Sequence, residues 1–204
     1  MGRSSFFKPQ GVSINPGSGK LSPHTNHYTK RLSEVKGIYI DGEAVDNLLK
    51  TRGDIVTYEV YEFVRRRDEG DLVFGTSIIY PDKVGREYSM TKGHSHAKAD
   101  RSEIYYCLSG RGLMLMESPE GKIKAVKMRP EIIAYVPPFW KHRSVNTGKT
   151  KLVSLFVYPA DAGHEYRELQ KIGLGKVVLE IRGKPTLARN PGWGGLLRRS
   201  PLPR

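Results

Sequence analysis

Four residues in this 204-residue chain have the types and the spacing to hold a metal ion: His94, His96, Glu103 and His142. In an extended strand alternate side chains share a face, so His94 and His96 present two imidazoles in one direction. Glu103 follows after a short loop and opens the next β-rich run, which can bring its carboxylate to the same point. His142 arrives from far along the chain, in Pro137-Pro138-Phe139-Trp140-Lys141-His142. Three imidazoles and a carboxylate suit iron, manganese, nickel or zinc and leave positions for water or substrate. A lone histidine is usually a structural hydrogen-bonding group, but a His-x-His pair is harder to explain that way. Only His24, His27 and His164 fall outside the set.

The surrounding pattern predicts the elements that must position these groups. Runs rich in β-branched and aromatic residues read as strands over 55–64, 72–80, 103–108, 112–117, 122–128, 132–136, 142–146 and 151–158, with a last one over 176–181. Turn signals separate many of them, including Ser109-Gly110, Pro119-Glu120-Gly121, Pro137-Pro138 and Thr147-Gly148. Short strands at that spacing imply a sandwich or barrel rather than alternating βα units. A helix is expected over 41–50, capped by Asp41 and ended by Gly53, and a second over 165–171. The expectation is a single all-β domain with short peripheral helices.

The formal net charge of +13 raises the question of a nucleic-acid partner. The charge lies at the ends, however. Residues 1–36 carry six Lys/Arg and one acid, and residues 182–204 carry six Lys/Arg and none. The body, 37–181, has 22 basic and 20 acidic residues. We therefore expect an N-terminal extended arm over 1–36, a barrel over 37–181 and a basic Pro/Gly-rich C-terminal tail over 182–204. No stacking aromatics or binding motif accompany the charge, which argues against nucleic acid. No run approaches the ~20 apolar residues of a membrane-spanning helix. The N-terminus lacks a secretory core, and Cys107 is the single cysteine, so a cytoplasmic location is expected.

The spacing resembles the two motifs of the cupin superfamily. In the first, His-x-His is followed by Glu and, six residues between, by Gly; here these are Glu103 and Gly110. In the second, Pro, His and Asn recur; here they are Pro137, His142 and Asn146. Two departures stand out: Glu131 and Phe139 occupy places where glycines are usual, and six residues separate His96 from Glu103 where three or four are common. The strings TKGHSHAKADRSEIY, YPDKVGREY, YVPPFWKHRSVN and YPADAGHEY resemble the cupin-type glucose-6-phosphate isomerases, found mainly in archaea, which share the lengthened loop. The resemblance runs from about Gly11 to about Ile181.

That resemblance implies a double-stranded β-helix (jelly-roll) barrel. It also implies interconversion of glucose 6-phosphate and fructose 6-phosphate with one divalent metal per subunit, iron first, with manganese, nickel or zinc as alternatives. Glu103 would either carry a proton through a cis-enediol or only polarise a metal-assisted hydride shift. Tyr58, Ser77, Thr91, Gly93 and Tyr105 are implied sugar-phosphate contacts, with Ser77 standing where relatives carry Thr. Tyr158 and His164 are implied near the reactive end of the sugar, His164 as a candidate for ring opening. A homodimer is implied by analogy, with the extended 11–29 stretch available to cross an interface. Taken without the family, the same tyrosines also suit strand packing. The competing functions are a cupin oxygenase on a His₃Glu iron site and a non-catalytic sugar-binding cupin.

Overall fold

The structure is a computed structural model and describes residues 8–195. A small ribbon, β1 (Ser13–Ile14) with β2 (Leu21–Ser22), precedes β3 (Asn26–Arg31), α1 (Gly42–Arg52), β4 (Val56–Val64) and β5 (Leu72–Ile79). Two short strands follow, β6 (Lys83–Val84) and β7 (Glu87–Tyr88). The barrel continues with β8 (Glu103–Ser109), β9 (Gly112–Glu117), β10 (Ile123–Met128), β11 (Ile133–Val136), β12 (Lys141–Asn146) and β13 (Leu152–Pro159). Then come α2 (Arg167–Ile172), β14 (Lys176–Ile181) and β15 (Lys184–Arg189).

The pairing identifies the barrel. β5 pairs with β13, β8 with β11 and β9 with β10, all antiparallel. Between β7 and β8 the chain bridges β12, with Met90 opposite Val145 and His94 opposite His142. Counted along the barrel as eight passes, the first pairs with the eighth, the second with the seventh, the third with the sixth and the fourth with the fifth. This nested order is the double-stranded β-helix of a cupin. One sheet runs β11-β8-β13-β5-β4-β3 and the facing one β10-β9-β12. Met114, Val136, Leu152, Phe156 and Tyr158 belong to the buried core between them. Alternation along β8 explains its orientation, since Glu103, Tyr105 and Cys107 are buried while Ile104 and Tyr106 are half-buried.

The local signals act as their chemistry requires. The Asp41 carboxylate accepts the Ala44 N–H at 2.9 Å and caps α1, and Gly53 ends it with φ +75°. The glycine positions of the second cupin motif that hold Glu131 and Phe139 here have φ of +76° and +71°, so these side chains sit in the left-handed region where glycine is preferred. The motif asparagine is structural: Asn146 donates to the carbonyls of Ile79 and Thr150 and accepts from the Gly148 N–H.

The charged end segments also contribute strands. Asn26–Arg31 is the outer strand of the large sheet, paired with β4. Lys184–Arg189 forms a hairpin with β14, so the basic segment turns back onto the body at Arg182-Gly183. The portions 1–7 and 196–204 of the expected arm and tail lie outside the described residues. No helix among the described residues is long and apolar enough to cross a membrane.

Candidate metal centre and cavity

Three elements deliver the four predicted ligands. The bridge between His94 and His142 is a mutual backbone pair: each N–H donates to the other's carbonyl, at 3.0 and 2.9 Å. Ligands 48 positions apart thus become neighbours. Gly93 permits the approach. It has φ +73°, and a Cβ there would lie 2.8 Å from the His142 carbonyl oxygen and 2.7 Å from a Leu169 methyl. Glu103 begins β8, pointing inward with only 2% exposure.

The three imidazoles converge on one carboxylate oxygen. Glu103 Oε2 lies 2.9 Å from His142 Nε2, 3.3 Å from His96 Nε2 and 3.4 Å from His94 Nε2. The tautomer of His96 follows from its partner: Nδ1–H donates to the Arg101 carbonyl at 2.8 Å, because a carbonyl only accepts. Its Nε2 then faces Glu103 with either a second proton or a cation between them. Burial and the neighbouring His142 bring the pKa of His94 down to about 3, so its imidazole is neutral. Its buried Nε2 has no hydrogen-bond partner. Burial works against ionising Glu103, yet the surrounding imidazoles hold its carboxyl well below the usual range. A fixed anion ringed by imidazole lone pairs is a donor set that fits a divalent transition metal. Possible ligand sets include His94–Glu103–His142, whose ligand atoms lie within 4.8 Å of one another.

The cluster opens into a cavity. Every other residue singled out from the sequence lines it: Tyr58, Ser77, Thr91, Gly93, Tyr105, Tyr158 and His164. Tyr58 comes from β4, Ser77 from β5, Tyr105 from β8 and Tyr158 from β13, so both halves of the large sheet contribute. Thr91 Oγ1 accepts the Ser144 N–H at 3.2 Å, leaving its hydroxyl hydrogen free to donate. Tyr105 OH reaches to 3.4 Å from His142 Nε2. Burial raises the pKa of Tyr58, Tyr105 and Tyr158, keeping the hydroxyls protonated.

The cavity also contains residues that sequence patterning did not single out. Tyr166 lies two positions beyond His164, its OH 3.2 Å from His164 Nδ1, and burial raises its pKa to about 12. The signal was available, because YPADAGHEY ends on it and i, i+2 residues in an extended stretch share a face. Glu62 and Val60 continue the same β4 face as Tyr58 by the same rule. Lys98 and Arg101, on the loop between His96 and Glu103, both bind Asp161, each at 2.8 Å.

A sequence profile described as glucose-6-phosphate isomerase matches residues 29–190. A glucose-6-phosphate isomerase of Thermococcus onnurineus is 48% identical over 188 residues, covering 92% of this chain and 98% of the relative. One from Pyrococcus furiosus is 42% identical with the same coverage. A putative glucose-6-phosphate isomerase 1 of Rhizobium meliloti is 43% identical over 190 residues, 92% of this chain and 89% of the relative. Among solved structures, an oxalate oxidase aligns with TM-score 0.45 and 15% identity over 57% of this chain and 58% of that one.

Proposed function

Because the chain belongs to the glucose-6-phosphate isomerase family, and is an isomerase by that membership, we propose that it interconverts glucose 6-phosphate and fructose 6-phosphate at a divalent metal held by His94, His96, Glu103 and His142. The observation that carries the reading is the convergence of three imidazoles, those of His96 and His142 buried and that of His94 half-buried, on Glu103 Oε2 beside the cavity. When bound there, the metal supplies Lewis-acid polarisation of the C1 and C2 oxygens. Iron is our first assignment, with manganese, nickel or zinc compatible with the same donors.

The chain's own residues do the rest. Tyr58, Ser77, Thr91 and Tyr105 offer hydroxyl donors and Gly93 a backbone N–H, which together bind and orient the phosphate. His164 and Tyr158 stand beside the ligand cluster, their rings 5.0 Å apart. His164 takes the proton of the anomeric hydroxyl and delivers it to the ring oxygen as the bond between that oxygen and the anomeric carbon breaks, which opens the sugar. Glu103 then accepts the C2 proton of the aldose and returns it to C1, through a cis-enediol. In the alternative route hydrogen moves between the carbons directly, and Glu103 only fixes the charge. Product formed in deuterium oxide separates the two, since carbon-bound deuterium appears only by the enediol.

The reading is tested with a coupled assay of fructose 6-phosphate conversion, run anaerobically before and after chelation and again with metal added back. Activity should vanish with the metal and return with it. Absence of turnover by the loaded protein would sink the proposal. We further propose a homodimer, supported by the family resemblance and by the edge position of β3; a monomer mass by light scattering would refute it.

A further inference from the structure

We infer that His164 is a fifth, exchangeable ligand of the metal, engaged in the sugar-free protein and released when the sugar enters. The inference rests on the preceding reading that a divalent ion occupies the cluster. A second donor triad overlaps the first: the ligand atoms of His94, His96 and His164 also lie within 4.8 Å of one another, and His94 belongs to both sets. Donors on one ion at bond lengths of about 2.1 Å lie up to about 4.2 Å apart, so each triad closes with a shift of a few tenths of an ångström.

The ring of His164 is prepared for that role. Its centroid is 4.2 Å from that of His94 and 6.1 Å from that of His96. Nδ1 is 3.2 Å from Tyr166 OH, whereas the buried Nε2 has no partner. One ring nitrogen oriented by a neighbour and the other left bare is the pattern of a metal-ligating histidine.

Exchange follows from where the residue sits. The four other ligands belong to β8, β12 or the chain bridging β12. His164 lies instead on the link between β13 and α2, fastened by the Ser95–Glu165 bridge and by the Gly163 carbonyl accepting the Ala97 N–H. It lines both the cavity beside the ligands and an adjoining one that Arg67, Lys92 and Gln170 also line. A sugar phosphate that reaches from one cavity into the other would lie against it. Once its Nε2 leaves the cluster, that lone pair is free to accept the proton of the ring-opening step.

The test uses the full chain loaded with Co2+ alone. Visible absorption should differ between wild type and His164→Ala, and chelator competition should show Co2+ held about ten-fold more weakly by the variant. Glucose 6-phosphate added to wild type should move its spectrum toward that of the variant. Tyr166→Phe, which removes only the orienting contact, should fall between the two and provides the readout if His164→Ala does not fold. Identical spectra with affinities within two-fold would overturn the inference. A wild-type protein that binds Co2+ with these signatures but does not isomerise would instead overturn the proposed reaction.

Discussion

Arg101 holds His96 through its backbone and a distant segment through its side chain. Its carbonyl accepts the His96 Nδ1–H at 2.8 Å, while its guanidinium binds Asp161 at 2.8 Å. The six residues separating His96 from Glu103 therefore supply an orienting acceptor for one ligand and a latch to the link that carries His164. Lys98 strengthens the latch through Asp161 and through its own N–H, which donates to the Ala162 carbonyl. Asp161→Ala should weaken metal binding by about ten-fold, an effect expected when the support of a ligand is lost. Chelator competition measures it, and an unchanged affinity would show that the latch does not orient His96.

Gly93→Ala tests the close approach of the two motif segments. The added methyl meets the His142 carbonyl oxygen and the Arg143 Cβ at 2.8 and 2.9 Å in a left-handed backbone. We expect a loss of about 2 kcal/mol or more in unfolding free energy, and a KM for sugar phosphate that rises several-fold as the Gly93 N–H is displaced. Chemical denaturation and steady-state kinetics read the two effects separately.

A buried acid outside the cavity makes stability depend on pH. Glu87, 1% exposed, has its pKa raised to about 7 by burial, although the Ile40 N–H donates to Oε2 at 2.7 Å. Below pH 4.5 the group is protonated in both folded and unfolded chains and has no effect. As pH rises from 4.5 to 7 the unfolded chain releases the proton first, so stability falls. A rise from 4.5 to about 7 corresponds to about 3 kcal/mol above pH 7. Glu87→Gln keeps an acceptor for Ile40 and removes the titration. Its stability relative to wild type should grow by about 3 kcal/mol between pH 4 and pH 8 in urea melts, and a flat difference would contradict the assignment.

Glu131→Gly should stabilise. Glu131 is exposed at φ +76°, a conformation that costs a non-glycine residue about 1–2 kcal/mol. Glycine adds about 0.5–1 kcal/mol of chain entropy to the unfolded state. The net gain expected is about 0.5 kcal/mol, read as a small rise in Tm.

Much of the site was legible because ligand chemistry is local. His94 and His96, two residues apart, announce a metal site, Glu103 begins a β-rich run, and Asp41 and Gly53 mark α1 by capping rules. The strands of the barrel were legible wherever one face is apolar, as in β8 and β9. The two-residue strands β1, β2, β6 and β7 were not, and neither were two longer ones, β3 and β15. Asn26–Arg31 is polar along most of its length and is held by its ladder with β4. The β14–β15 turn places Arg182 and Gly183 both at positive φ, with Arg where Asn or Asp would have signalled a hairpin.

The sequence by itself determined which residue types could hold a metal and which stretches are extended, because side-chain chemistry and two-residue periodicity are properties of short segments. Only the tertiary structure decided that His142 lies opposite His94, that Arg101 orients His96, and that Tyr166 and Glu62 share the cavity. Those relationships depend on strand register between segments far apart in the chain. Register is fixed by packing of the whole barrel rather than by any local pattern.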